Sequence, residues 1–206
     1  LTGLGVRFTS IIAYVAGDSA ILFLALTMIV AVVLGMGMPT SAVYIILASI
    51  LAPGMVELGF QPLAAHMFIF FGAVMSNITP PLAIASFAAA AVAGGDPWRT
   101  SIYAVKMGVG VFLLPFIFVY EPALLGQGSL LEVAHAMLTA MAGIAILSAA
   151  ATGWFLRPLH PVMRLILAAG SIGMIFPGIL SDVLGLAAVA SVTLMLWVQR
   201  RRAITI

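Results

Sequence analysis

Between Arg7 and Arg99 the chain carries no Lys or Arg, and its only acids there are Asp18, Glu57 and Asp96. A stretch that poor in charge cannot clothe the outside of a water-soluble fold. Soluble domains devote roughly 25% of their residues to Asp, Glu, Lys and Arg. This chain devotes 7%, beside 64% hydrophobic residues and a mean hydropathy of +1.28. Its surface belongs in lipid, and a helix satisfies its own backbone there. The fold class that follows is an all-α integral membrane protein, a helical bundle.

Two interruptions stand out against that background. Gly35-Met36-Gly37-Met38-Pro39-Thr40 and Ser76-Asn77-Ile78-Thr79-Pro80-Pro81 break apolar helical sequence. Hydrocarbon offers no water to the freed N–H and C=O groups, so broken backbone at that depth is buried in protein or lines a polar cavity. Paired interruptions are also the sequence pointer to a transporter's binding site. A single proline merely kinks a membrane helix. Two adjacent prolines with an Asn and a Thr, set beside a Gly-Met-Gly-Met-Pro-Thr tip, exceed what a kink requires.

Each break exposes carbonyls where one helix stops and N–H groups where the next begins, with partial negative and positive charge respectively. Unwound carbonyls coordinate a hard cation such as Na⁺, and helix N-termini face anionic substrate groups. Gly35 and Gly37 allow close backbone approach. Pro39, Pro80 and Pro81 remove donors and stop the helix from re-forming. Thr40, Ser41, Ser76, Asn77 and Thr79 supply neutral oxygens. Neither break holds a carboxylate, which argues against proton coupling through Asp or Glu there.

A membrane-spanning helix needs roughly 20 mostly apolar residues. The pattern predicts helices over 19–34, 41–51, 63–75, 82–92, 102–120, 130–155, 162–176 and 183–198, with 8–16 too short to span. Asp18 or Ser19 caps the first of these, Thr40 or Ser41 the second, and Pro62 opens the third at N1. Cytoplasmic flanks are rich in Lys and Arg. Arg99, Lys106, Arg157, Arg164 and Arg200–Arg202 then fall on one face, with Arg7 the exception. Segment 63–92 becomes one broken crossing. Segment 41–51, at about 11 residues and about 16 Å, is too short to cross. It is expected to return as the second arm of a re-entrant hairpin. The hairpin's tip, Gly35–Thr40, meets Asn77–Pro81 near the midplane.

The residues resemble a known family. Gly35-Met36-Gly37-Met38-Pro39-Thr40, Leu51-Ala52-Pro53, Pro62-Leu63-Ala64-Ala65-His66 and Ile78-Thr79-Pro80-Pro81 are similar to the large membrane subunit of TRAP (tripartite ATP-independent periplasmic) transporters, above all its fused-permease branch. The resemblance divides the chain into 1–122, the C-terminal half of the large-subunit transport region, and 123–206, an extra C-terminal transmembrane region. It implies half of an inverted-repeat elevator transporter in a bacterial or archaeal cytoplasmic membrane, driven by sodium and importing an organic acid. A periplasmic substrate-binding protein and the N-terminal half of the permease are the implied partners. Na⁺ is the coupling ion, and no other cofactor is implied. Thr79 is the first choice of sodium ligand, with carbonyls near Gly35, Gly37 and Ala83. Thr40, Ser41, Ser76, Asn77, Pro80 and Pro81 are the implied substrate-facing residues. The chain opens at Leu1 with no signal-peptide pattern, so it is expected to be part of a longer polypeptide.

The remaining polar residues read more plainly. His66, His135 and His160 share no ligand spacing and read as packed or interfacial. Asp18, Glu57 and Asp96 read as solvated caps, and Asp182 as an N-cap in the turn 177–182. Cys is absent, which removes disulfides and thiolate metal sites. Arg200–Arg202 is a flank of a membrane segment, not a nucleic-acid surface, since no aromatic or polar readers accompany it. An intramembrane enzyme would need a nucleophile–base pair or paired carboxylates at depth, and the six acids sit at ends and turns. A non-catalytic assembly or scaffold role remains open, chiefly for the tail.

Overall fold

The computed structural model describes residues 4–176 and 178–202. The chain divides into two compact units, Leu1–Val105 with Phe112–Leu125, and Lys106–Val111 with Gly126–Ile206.

The first unit begins with α1 (Leu4–Ala16), α2 (Ala20–Gly35), α3 (Thr40–Glu57) and α4 (Pro62–Ser76). Ser19 caps α2, its Oγ accepting from the Leu22 amide at 3.3 Å. Phe23 near the start of α2 stacks on Phe60 just past the end of α3, with ring centroids 6.0 Å apart. The two helices therefore fold back on one another as a hairpin, and both pack on α4. Small residues allow that packing to be close. A Cβ on Gly72 of α4 would stand 2.6 Å from the Ala31 Cβ of α2. Outward faces stay apolar: Ile21, Ile29, Ile45 and Val92 are exposed, as expected of a surface that meets lipid.

Helix α3 corrects an expectation. It does not stop before Pro53 but runs through it to Glu57, 18 residues, long and apolar enough to cross a membrane. A proline removes its own donor and crowds the preceding turn. Here α1 lies along that turn: Thr9 Oγ1 donates to the Ile50 carbonyl at 3.3 Å, and Gly54 leaves the space that Thr9 fills. The hairpin is thus defined by its contacts, not by a short second arm. The cap also differs. Pro39 is the N-cap residue, without a side-chain bond, and Thr40 is the first helical residue.

Pro62 opens α4 at N1 as expected. Helix α4 ends at Ser76, residues 77–83 are unwound, and α5 (Ile84–Ala93) follows. The predicted span 102–120 is two helices, α6 (Pro97–Met107) and α7 (Val109–Tyr120), bent by 41° at Gly108. The start moves forward because Asp96 caps it, accepting from the Arg99 amide at 2.6 Å, with Pro97 as the first helical residue. A 3₁₀ turn, Pro122–Leu125, completes the unit.

The second unit is built on α8 (Leu130–Thr152), α9 (Pro161–Ile175) and α10 (Ile179–Arg202). A reciprocal capping box opens α8: Ser129 Oγ accepts from the Glu132 amide and Glu132 Oε2 from the Ser129 amide, at 3.3 and 2.8 Å. Helix α8 ends three residues earlier than expected, because Gly153 takes a left-handed conformation at φ 79. Trp154–Phe155 (β1) and Arg157–Pro158 (β2) then pair as a two-residue antiparallel ladder, too small to change the fold class. Gly143 lies against Ile175, and Gly170 against Ala188 and Gly185, so small residues again set the helix contacts. Ala150, Leu159, Leu167, Val192 and Leu196 form the core. Pro177 of the predicted turn lies outside the described residues.

Asp182 is not an N-cap, since α10 already begins at Ile179. It sits in the first turn of α10, 6% exposed, with Oδ2 3.0 Å from His135 Nε2 on α8. The contact is a charge-type approach without hydrogen-bond alignment, and both carboxylate oxygens lack a hydrogen-bond partner among the described residues. Two residues that looked unrelated in sequence are neighbours, because separate helices bring them together.

Candidate functional site

The two breaks meet. Helix α2 stops at Gly35, and the chain turns through Gly37 at φ 85, a conformation natural only to glycine. Gly35 is buried against the end of α4. A Cβ there would stand 2.7 Å from Ser76 Oγ and 2.9 Å from Ser76 Cβ. A Cβ on Gly37 would stand 3.3 Å from Leu82 Cδ1. The glycines at the tip therefore make room for the second break.

Asn77 ties the two segments. Its Nδ2 donates to Thr40 Oγ1 at 2.9 Å, and lies 3.2 and 3.4 Å from the Ala73 and Val74 carbonyls. Thr79 Oγ1 donates to the Met75 carbonyl at 2.7 Å, and Ser76 Oγ to Ala73 at 2.7 Å. The carbonyls of the last turn of α4 are thus satisfied by side chains of the break itself, as a buried helix end requires. Asn77 and Thr79 also return their own carbonyls to the amides of Ala85 and Ala83, at 3.0 and 3.2 Å.

Other carbonyls are left over. Those of Met36, Gly37, Met38, Ile78, Pro80 and Pro81 accept no hydrogen bond among the described residues. The prolines explain part of this, since they supply no donor to the turn around them. Ala83 closes the break in a left-handed conformation, φ 31 and ψ 50. For a residue with a Cβ this costs roughly 1–2 kcal/mol, and such positions persist where surrounding packing over-determines them.

The candidate residues fall into two groups. Gly35, Thr40, Ser76 and Asn77 are brought into direct contact. Thr79 and Pro80 are half-buried beside them, while Gly37, Ser41 and Pro81 are exposed. Ala83 is fully buried and its carbonyl already accepts from the Phe87 amide at 2.9 Å. Sequence reasoning missed Leu82, which meets Gly37, and the role of Thr40 as an acceptor for Asn77. It also missed the brace between α3 and α4, where Tyr44 Oη and His66 Nδ1 lie 3.0 Å apart. An Asn directly after a long apolar helix was the available signal, since its amide can reach back to the final carbonyls.

The family model described as "Tripartite ATP-independent periplasmic transporter, DctM component" matches residues 1–133. The chain belongs to the DctM family. No curated protein and no solved structure matches it. Both breaks lie inside the DctM-matched region, whereas α9, α10 and most of α8 lie beyond it. DctM proteins are membrane components of TRAP transporters, so the family places the chain among permeases. At the level of the family, a periplasmic binding protein and a small solute are the partners.

Proposed function

We propose that this chain supplies one face of the translocation site of a sodium-coupled symporter, importing an organic acid delivered by a periplasmic binding protein. The membrane is the cytoplasmic membrane of a bacterium or archaeon, and the transport movement is of the elevator type. A second, inverted repeat of the permease provides the opposing face. Exposure of Gly37, Ser41 and Pro81 at the tip is consistent with a surface awaiting that partner.

The observation that carries the reading is the meeting of the two breaks with unpaired carbonyls on both and no carboxylate on either. Hard cations of low charge are held by such neutral oxygens. Thr79 Oγ1 donates its proton to Met75, which leaves its lone pairs for an ion. Carbonyls around Gly35 and Gly37 complete the set on the hairpin side. Ala83 is a weaker ligand, since α5 already uses its carbonyl. The N-termini of α3 and α5 start from the two breaks and offer partial positive charge to a carboxylate substrate.

Uptake of a panel of radiolabelled organic acids by the complete transporter in proteoliposomes, with its binding protein, tests this. In Thr79→Val the half-saturating Na⁺ concentration should rise about tenfold, equivalent to about 1.4 kcal/mol, and Thr79→Ser should restore it. An unaltered Na⁺ dependence in Thr79→Val would remove Thr79 from the site. Uptake indifferent to Na⁺ in the wild type would overturn the coupling mechanism.

A further inference from the structure

Apart from the two breaks, the second unit holds a feature with ligand chemistry. A groove of about 410 Å³ runs between α8 and α9 in the second unit. Val109, Leu147, Leu165 and Ala168 wall it with hydrocarbon, and Arg164 stands at one end. That end is the C-terminal end of α8. Arg164 Nε donates to the Ala150 carbonyl and Nη2 to the Ala151 carbonyl, each at 2.9 Å. Gly153 has no side chain to interfere: a Cβ there would lie 3.4 Å from the guanidinium carbon.

These two bonds hold the guanidinium in one orientation and use two of its five N–H groups. The other donors keep the planar fork that matches a phosphate. No acid lines the groove. Within this unit, Glu132 and Asp182 sit at the opposite ends of their helices, on the order of 25 Å along the axis. Exposed Trp154 and Arg157 follow just past the end of α8, a pairing typical of the level of lipid headgroups. The result is a fixed cation at the interface above an apolar slot.

We propose that this groove is a specific site for an anionic phospholipid, its phosphate on Arg164 and the upper part of one acyl chain along Leu147, Leu165 and Ala168. A free phosphate would use only the arginine and leave the slot unfilled. A zwitterionic lipid would fill the slot but bring its own cation to the arginine. Charge and apolar shape together select an amphiphile with net negative charge.

The test uses the full chain, delipidated in detergent and offered dioleoylphosphatidylglycerol, dioleoylphosphatidylcholine or glycerol 3-phosphate, with retained lipid read by native mass spectrometry. Wild type should retain phosphatidylglycerol at about tenfold lower concentration than phosphatidylcholine, the scale of one charge-assisted bidentate contact. Arg164→Gln should lose that preference. Because it also uncaps α8, Ala168→Phe is the companion: it fills the slot and leaves the bonds of Arg164 intact, and should lose retention as well. Equal retention of the two lipids, or wild-type retention in either variant, overturns the site. Displacement of phosphatidylglycerol by glycerol 3-phosphate at equal concentration overturns the lipid as its occupant.

Discussion

Gly35→Ala should push the hairpin off the end of α4. The new Cβ would meet Ser76 Cβ at 2.9 Å, Ser76 Oγ at 2.7 Å and Val43 Cγ1 at 3.2 Å. Carbon atoms rest at roughly 3.5–4.0 Å, so about 1 Å of separation must open between α2 and α4. Neither neighbour has space to retreat: Ser76 is 1% exposed and Val43 is fully buried. Overpacking of this kind costs about 1–3 kcal/mol. Alanine recovers up to about 1 kcal/mol in helix propensity, less at the last residue of a helix. The net loss is about 1–2 kcal/mol, which lowers the melting temperature by about 2–8 °C where the cooperative unit is about 150–250 residues, and by less where it is larger. Thermal unfolding of the complete permease in detergent reads it, and Na⁺-dependent uptake should fall in parallel. A second site isolates the cause. Ser76→Gly removes both close atoms, so Gly35→Ala/Ser76→Gly should show a favourable coupling of about 1 kcal/mol in a double-mutant cycle. Ser76→Ala keeps the Cβ and should not. A Gly35→Ala protein that melts with the wild type, or a double variant with no coupling, would refute the packing reasoning.

Two further perturbations address the same assembly. Asn77→Ala and Thr40→Val each remove one end of the 2.9 Å bond between the breaks. Each should cost about 1 kcal/mol, and the double variant should cost little more than Asn77→Ala alone; strict additivity in thermal unfolding would show that the bond contributes nothing. Gly72→Val places a branched side chain where a Cβ already lies 2.6 Å from Ala31. It should cost about 3 kcal/mol or more and reduce the monodisperse fraction on size exclusion, while the same change at exposed, uncrowded Gly59 should have a smaller effect that reflects only its φ of 90.

Much of the site is legible in sequence, because glycine and proline act locally. Gly35, Gly37, Pro39, Pro80 and Pro81 announce broken backbone wherever the chain places them. The meeting of the two breaks follows from the order of apolar segments and turns. What sequence hides is support from distant residues. Pro53-Gly54 resembles a helix stop, and only Thr9 on another helix reveals why α3 continues. Thr40 has the composition of a cap, yet its oxygen serves Asn77, a residue 37 positions away. The end of α8 is hidden for a different reason. Gly153 carries the stop signal, but the apolar Trp154 and Phe155 beyond it extend the hydrophobic pattern into what is a two-residue strand.

The approach of His135 to Asp182 bears on how the chain enters its membrane. Helix α10 carries a carboxylate in its first turn that the fold buries, and α10 leaves the ribosome after α8. An acid in a membrane segment raises the cost of insertion by up to about 3.5 kcal/mol at the centre of a helix, and less near its ends. The imidazole that receives this carboxylate is on α8, which is translated first. Order of synthesis therefore places the acceptor in the bilayer before the charge arrives. A chain that lost α8, or received it late, would present α10 to lipid with an unaccompanied acid, which makes this single contact a checkpoint on assembly of the tail.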